Sequence, residues 1–137
     1  GAAAAAAAGE VGAMKYVAGM RDRFEAAVAG QAVVHGAQAP RLANTSCLSM
    51  PGVEAVAQVM AFDLAEIAVG AGSACSSGKI STSHVLKAMG ISRSLADTAI
   101  RVSFGWASKD EDVDRLIEAW TILHRQVADE TAHKSAA

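Results

Sequence analysis

Apolar residues spaced three or four positions apart predict helices in several parts of the chain. The first such segment covers residues 14–28, and Gly30 follows it, as glycine often does just past a helix end. A second helix is predicted after the turn signal Pro51-Gly52, because apolar residues there fall at i, i+3, i+4 and i+7. The side chains expected on its buried face are Val53, Val56, Ala57 and Met60.

Two more helices are predicted in the second half of the chain. Ser83 can cap a short helix over residues 84–89, which Gly90 would end. Ser108 and Glu111 have the spacing of a capping box, which predicts the start of a long helix. The apolar stripe of that helix consists of Val113, Leu116, Ile117, Trp120, Leu123 and Val127.

Short β-strands are predicted in four segments, at residues 31–36, 45–50, 67–69 and 99–104. The last is the clearest, because its apolar residues alternate with Arg101 and Ser103, which share the opposite face. The order of helices and strands predicts an α+β fold, in which helices cover a small antiparallel sheet.

The domain organisation is predicted from one change in composition. Residues 1–13 form an alanine-rich lead-in, and its run Ala2 to Ala8 fits a helix, a cloning remnant or a stretch of unassigned residues. Residues 14–137 are expected to form one domain, although the length of the chain also allows a small domain plus a fragment of another.

Composition and charge exclude several classes of protein. The apolar fraction of 52% is inflated by alanine, and only 4% of residues are aromatic, so the chain can build one modest core. The net charge of −2 comes without a basic patch, which argues against nucleic acid as a partner. The longest stretch without charged residues, 26–40, is too short for a membrane span. Two cysteines in different contexts predict neither a disulfide framework nor a metal site, and they favour a reduced, cytoplasmic location.

Cys75 is the first candidate for chemistry. It lies in a segment so rich in glycine and serine, at about residues 70–82, that a loop is predicted there. A reactive thiol needs access to solvent, which such a loop would provide, although an incidental loop cysteine remains the alternative. Cys47 lies in a strand pattern and is interpreted as a packed residue.

Arg101 is the second candidate. A guanidinium on a central strand suits bidentate binding of a carboxylate, and the alternative is an ordinary solvated arginine. His84 follows Cys75 by nine residues at a helix start, so a Cys/His pair is conceivable, but a packing role is the more common one.

Together these motifs resemble the cysteine desulfurases of the NifS/IscS type, in the class-V aminotransferase family. The resemblance is carried by three motifs in order, which are Gly72-Ser-Ala-Cys-Ser-Ser-Gly78, Ser83-His-Val-Leu-Lys-Ala-Met-Gly90 and Ile100-Arg-Val-Ser-Phe-Gly105. Arg41-Leu-Ala-Asn-Thr45 and Pro51-Gly52-Val53 also fit. Ala43, Ala71 and Thr82 depart from the family pattern without removing a catalytic group.

The resemblance implies the small C-terminal domain of a fold-type I enzyme that depends on pyridoxal 5'-phosphate. It implies that L-cysteine is converted to L-alanine, that Cys75 accepts the sulfur as a persulfide, and that Arg101 holds the substrate carboxylate. It also implies a homodimer that delivers sulfur to an acceptor or iron–sulfur scaffold protein in the cytoplasm.

The cofactor site is expected outside this chain. The family's cofactor-binding lysine lies in a His-Lys dipeptide well before the loop cysteine, whereas the only such dipeptide here is His133-Lys134, near the C-terminal end. The chain is therefore expected to be a fragment or one piece of a larger polypeptide that includes the large domain, and to be inactive by itself. A non-catalytic sulfur carrier and a selenocysteine lyase remain alternatives.

Overall fold

The computed structural model describes residues 1–72 and 82–135, which form six α-helices and four β-strands. The helices are α1 (Ala2–Gly9), α2 (Met14–Ala27), α3 (Ala55–Leu64), α4 (His84–Ala88), α5 (Arg93–Ala96) and α6 (Asp110–Ser135), with a 3-10 turn at Glu10–Ala13. The strands are β1 (Val33–Val34), β2 (Thr45–Ser49), β3 (Gly70–Ala71) and β4 (Ala99–Ser103).

The four strands form one antiparallel sheet in the order β1-β2-β4-β3, which confirms the predicted fold class. The longest pairing joins β2 to β4, with Thr45 opposite Ser103 and Cys47 opposite Arg101. On its other side β4 pairs with β3, where Gly70 lies opposite Arg101. Arg101 is therefore on an interior strand, as predicted.

The main core lies on one face of the sheet, beneath α2, α3 and α6. Leu48 and Ile100 from the two interior strands are both fully buried, and Trp120 of α6 belongs to the same core. The rings of Phe24 and Trp120 meet edge to face, with their centroids 5.8 Å apart, a geometry that aromatic pairs prefer. The apolar stripe predicted for the long helix is confirmed, because Val113 and its companions on α6 belong to this core.

The buried face predicted for the second helix is wrong for Val56, Ala57 and Met60, and of the four predicted residues only Val53, which precedes the helix, is buried. α3 begins only at Ala55, and it buries Ala55, Gln58 and Phe62, whereas Val56 and Met60 are 43% and 63% exposed. The cause is Gln58, whose side-chain amide donates to the carbonyl oxygens of Val53 and Thr98, each at 2.8 Å. Both N–H groups of the buried amide have partners, which holds Gln58 on the inner side of the helix, although its Oε1 atom has no partner among the described residues.

The strand predicted at residues 67–69 begins later, at Gly70. α3 ends in a Schellman motif, in which the N–H of Ile67 donates to the carbonyl of Phe62 at 2.8 Å and the N–H of Glu66 donates to that of Asp63 at 2.9 Å. These bonds hold the chain in a turn, so pairing with β4 can start only beyond it. Glu66 occupies the left-handed position of this motif, with φ of 61°.

Other boundaries differ in smaller ways. β1 covers only two residues of the predicted segment 31–36, because the N–H groups of Gln31 and Ala32 donate back to the carbonyl of Val28. The predicted capping box at Ser108 and Glu111 is wrong by one residue, since the Asp112 carboxylate accepts from the N–H of Lys109 at 2.9 Å. The short helix α5 was not predicted. Its cap is Ser92, whose hydroxyl accepts from the N–H of Leu95.

The start of α4 agrees with the prediction, because the hydroxyl of Ser83 accepts from the N–H of Leu86 at 3.4 Å. The alanine run at residues 2–8 is helical, and the domain boundary at residues 13 and 14 stays a prediction. None of the helices in residues 1–72 and 82–135 is both long enough and apolar enough to cross a bilayer.

Candidate functional site

Arg101 lies at the middle of β4, on the face of the sheet opposite the main core. Its neighbours Ile100 and Val102 are buried, whereas Arg101 itself is exposed. Because side chains alternate along a strand, the packing of those two neighbours forces the guanidinium to the other side. Within the described residues, Arg101 has neither a hydrogen bond nor an ion pair to another side chain, so its donors remain available to a ligand.

Gly70 provides the space that the guanidinium occupies. A Cβ atom added at Gly70 would lie 3.4 Å from Nη2 of Arg101 and 3.9 Å from its Cζ. The planar end of the arginine therefore lies directly over the backbone of β3. A side chain at position 70 would therefore compete with the guanidinium for this space.

Cys47 is the cross-strand neighbour of Arg101 on the β2 side. Its side chain is half-buried and packs against a small apolar cluster formed by Leu86, Ala96 and Ala99. Burial raises the pKa of the Cys47 thiol, and the positive charge of Arg101 opposes this only in part. The thiol therefore stays protonated near neutral pH, which makes it a poor nucleophile. This agrees with the interpretation of Cys47 as a packed residue.

Cys75 lies outside the described residues, within the segment 73–81. The two described residues that flank this segment, Gly72 and Thr82, both line one cavity of about 380 Å³. Thr82 is held there by its hydroxyl, which donates to the carboxylate of Asp97. Cys75 follows Gly70 by five residues, and five extended residues reach at most about 18 Å. Connectivity therefore sets only an upper limit on the distance between Cys75 and Gly70.

A chain of polar side chains beside Arg101 was missed by the sequence analysis. The side-chain nitrogen of Asn44 donates to the carbonyl of Phe104 at 2.9 Å, and the hydroxyl of Thr45 donates to Oδ1 of Asn44 at 3.3 Å. Oγ of Ser103 lies 3.1 Å from Oγ1 of Thr45. The signal was present, because the segment with Asn44 and Thr45 and the segment with Arg101 and Ser103 were both singled out. Their contact could not be read from either alone.

Nε2 of His35 lies 2.7 Å from Oγ of Ser49, a distance that would also suit a general base and a serine nucleophile. The Ser49 hydroxyl, however, donates its proton to the carbonyl of Leu95 at 2.6 Å, so Nε2 of His35 must be the donor to Ser49. Burial lowers the pKa of His35. The pair is therefore structural and joins β2 to α5.

The other histidines weighed from the sequence are on the surface. His84 is exposed at the first position of α4, and His133 is exposed in the last turns of α6, which extends to Ser135. A Cys75/His84 pair stays untested, because Cys75 is not described. Across residues 1–72 and 82–135, no three His, Cys, Asp or Glu side chains come together as metal ligands would.

Comparison with known proteins gives a consistent result. The aminotransferase class-V family matches residues 14–116. A cysteine desulfurase of Gluconacetobacter diazotrophicus is 39% identical over 105 residues, which cover 74% of this chain and 26% of that protein. The cysteine desulfurase NifS of Azotobacter vinelandii is 36% identical over 101 residues, which cover 72% of this chain and 25% of that protein.

Solved structures have the same architecture. A NifS-like protein from Rickettsia africae matches with a TM-score of 0.67 and 25% sequence identity, over 82% of this chain and 28% of that one. The chain therefore spans about a quarter of the length of the relatives that it matches.

Proposed function

Because this chain belongs to the class-V aminotransferase family, we propose that it is the small C-terminal domain of a cysteine desulfurase of the NifS/IscS type. Support comes from the names of its relatives and from the antiparallel sheet and covering helices that it shares with a NifS-like protein. In this proposal the complete protein converts L-cysteine to L-alanine and transfers the sulfur onward.

The position of Arg101 and its unpaired guanidinium are the main support for the proposal. It is fixed on an interior strand, its guanidinium has no competing anion among the described side chains, and a glycine on the next strand leaves room for it. A planar, permanently charged group in this setting is suited to bind a carboxylate through two parallel hydrogen bonds. We assign it the carboxylate of the substrate cysteine.

Cys75 is the proposed sulfur acceptor. The other cysteine, Cys47, is half-buried and its raised pKa keeps it protonated, so it is poorly suited to attack a sulfur atom. In the sequence Cys75 follows Gly70, the residue opposite Arg101, by five positions, and we propose that its thiol can reach a substrate held there. In the proposed reaction Cys75 retains the sulfur as a persulfide while alanine is released.

The family depends on pyridoxal phosphate, but the described residues do not form a site for it. Lys15 on α2, Lys87 on α4 and Lys109 before α6 are all exposed, and none belongs to the strands around Arg101. A lysine that holds this cofactor has to be enclosed beside the substrate. We therefore propose that the cofactor binds to the part of the relatives' length that this chain does not span.

We further propose that the complete protein forms a homodimer with a second subunit and lies in the cytoplasm. It would deliver sulfur to an acceptor or iron–sulfur scaffold protein. A sulfur-carrier module that receives sulfur from a separate enzyme is the alternative, and it would use the same Cys75 without Arg101.

The test uses the full-length protein that contains this chain, loaded with pyridoxal phosphate and treated with L-cysteine. Alanine formation is measured, and mass spectrometry locates any added sulfur. We expect added sulfur on Cys75, none in Cys75→Ser, and normal turnover in the matched control Cys47→Ser. An added sulfur on Cys47 with none on Cys75 would overturn the assignment, and sulfur uptake that is indifferent to Arg101→Lys would favour the carrier.

A further inference from the structure

The segment 73–81, which contains Cys75, lies between two stretches of chain that are attached to different parts of the fold. On its N-terminal side, Ala71 of β3 pairs with Ile100 of β4. On its C-terminal side, the hydroxyl of Thr82 donates to Oδ1 of Asp97, the residue that follows α5. The chain is therefore attached on both sides of Cys75, once by strand pairing and once by a side chain.

Asp97 is itself held by its backbone. Its N–H donates to the carbonyl of Arg93 at 2.9 Å, and its own carbonyl accepts from the N–H of Ala55 at 3.0 Å. Ala55 is buried at the start of α3, so this second bond joins Asp97 to the main core. The other carboxylate oxygen of Asp97 accepts from Nε of Arg93 at 3.3 Å, but the Arg93 side chain is 87% exposed and such a pair contributes little. Thr82 is thus bonded to a carboxylate whose backbone is fixed.

The helix α4, which begins two residues after Thr82, depends on contacts with the rest of the fold for its position. It has five residues, of which only Leu86 is buried, and a helix of this length is not stable in isolation. Leu86 provides one attachment, because it packs with Ala96 and Ala99. The bond between Thr82 and Asp97 provides a second one, at the end of α4 that is joined to the segment with Cys75.

We infer that Asp97 is a positioning residue for sulfur transfer, because its bond to Thr82 fixes the C-terminal end of the segment with Cys75. The inference rests on the proposed function. In that reaction the Cys75 thiolate forms an S–S bond, the C–S bond of cysteine breaks, and the carbon takes the electron pair and a proton to give alanine. A connection that is fixed at both ends has fewer conformations than one fixed at a single end, so less chain entropy is lost when the thiol reaches the substrate. Since Thr82 and Asp97 bond to each other and not to Arg101, the effect should fall on the rate of sulfur transfer and not on substrate binding.

The test measures two quantities in the full-length protein that contains this chain, loaded with pyridoxal phosphate. One is the rate at which Cys75 gains sulfur in a single turnover at saturating L-cysteine, and the other is the KM for L-cysteine. Thr82→Val keeps the shape of the side chain but removes the proton that Asp97 accepts. We expect the rate to fall about tenfold, as for one lost hydrogen bond to a charged group, and the KM to stay within about twofold of the parent value. Thr82→Ser keeps the hydroxyl and should keep the rate, which a general loss of stability would not explain.

Variants at Asp97 and Arg93 show whether the bond itself is responsible. Asp97→Ala should lower the rate as Thr82→Val does, and the double variant should be no slower than either single variant, because both remove the same bond. Arg93→Gln removes the exposed ion pair of Asp97 but leaves the bond to Thr82, so this control should match the parent. A parent-like rate in Thr82→Val, a raised KM with an unchanged rate, or additive losses in the double variant would overturn the inference. If the parent gains no sulfur on Cys75 at all, the proposed function on which the inference rests is refuted instead.

Discussion

Arg101 and Cys47 are direct cross-strand partners on the face of the sheet that points away from the main core. Their states differ, because the guanidinium is exposed and charged whereas the thiol is half-buried with a raised pKa. The positive charge next to Cys47 is not enough to overcome its burial. A nucleophilic sulfur at this site therefore has to come from another position.

Replacement of Arg101 by lysine should weaken substrate binding in the full-length protein. Lysine keeps the charge but loses the two parallel hydrogen bonds, so the apparent affinity for L-cysteine should fall by about 1–3 kcal/mol. Folding should be unchanged, because the side chain makes no contact with the main core. Steady-state kinetics measure the effect, and Arg125→Lys on the exposed side of α6 is the matched control. Aggregation of Arg101→Lys with normal affinity would instead indicate a structural arginine.

Gly70→Val should also weaken the binding of L-cysteine, although Arg101 itself is unchanged in this variant. A Cβ atom at this position already reaches 3.4 Å from Nη2, and the two methyl groups of valine would occupy the place of the guanidinium. Valine suits a strand, so stability should be kept while KM rises, on the order of tenfold. Gly70→Ala adds only the Cβ and should have a much smaller effect. Equal KM values for both variants and the parent would show that Gly70 does not position Arg101.

The two cysteines should differ in reactivity toward a limiting dose of an alkylating reagent. Cys75 is expected to react first, and Cys47 mainly after denaturation, because its thiol is half-buried and protonated. Peptide mass spectrometry after a short labelling time measures the order. In Cys75→Ser the fast phase should disappear, and rapid labelling of Cys47 in the native protein would contradict the prediction.

Glu66→Gly should stabilise the chain. Glu66 has φ of 61°, a conformation that costs most residues about 1–2 kcal/mol but glycine little. The exposed ion pair that is lost, between Glu66 and Arg115 at 3.6 Å, contributes less than that. The free energy of unfolding should rise by about 0.5–1 kcal/mol in chemical denaturation. Ala65→Gly, next to it but at φ of −87°, should lower stability and is the control.

Stability should decline in acid through Glu25. Burial alone would raise the pKa of Glu25, but the hydrogen bonds from Arg41, together with the charges of Arg41 and Arg21, lower it below the usual 4.5. Above that value the ionised carboxylate and Arg41 form a bidentate pair, at 2.7 and 3.0 Å.

Since the folded state resists protonation of Glu25, its contribution is present above about pH 4.5 and is lost as the pH falls through the lowered pKa. The free energy of unfolding, measured by chemical denaturation at several pH values in this range, should fall less steeply in Glu25→Gln than in the parent. Glu111→Gln on the exposed start of α6 removes the same formal charge and serves as the comparison. Parallel curves for parent and Glu25→Gln would contradict the prediction.

The sequence was sufficient to predict those helices and strands whose hydrophobic pattern lies within one continuous segment. The stripe of α6 and the alternation around Arg101 each depend on one continuous segment, and both are confirmed. The rotation of α3 could not be predicted, because Gln58 is buried only with the help of carbonyls that lie outside the helix, at Val53 and Thr98. A hydropathy pattern treats glutamine as polar and therefore places it on the exposed face. The carbonyl groups that accept from the Gln58 amide can be identified only in the folded structure.

Of the candidate site, too, one part could be predicted from a continuous segment, and the rest depends on how the strands pair. Arg101 was found because a charged residue in an apolar strand is visible in the sequence. The contact between Thr45 and Ser103 joins residues 58 positions apart, and it exists only because β2 and β4 pair in this register. The position of Gly70 under the guanidinium depends in the same way on β3 being on the other side of β4.

The place of β3 in the sheet has a consequence for how this domain can change over evolution. β2 and β4 pair without β3, which lies at the edge of the sheet, and residues 73–81 with Cys75 follow β3 in the sequence. A doubling of the length of such a connection costs only about 0.6 kcal/mol in chain entropy. Insertions, deletions and altered sequence around Cys75 can therefore be accommodated while the strand with Arg101 stays in register. Under the proposed function, one scaffold could in this way deliver sulfur to acceptors of different shape while Arg101 keeps its position.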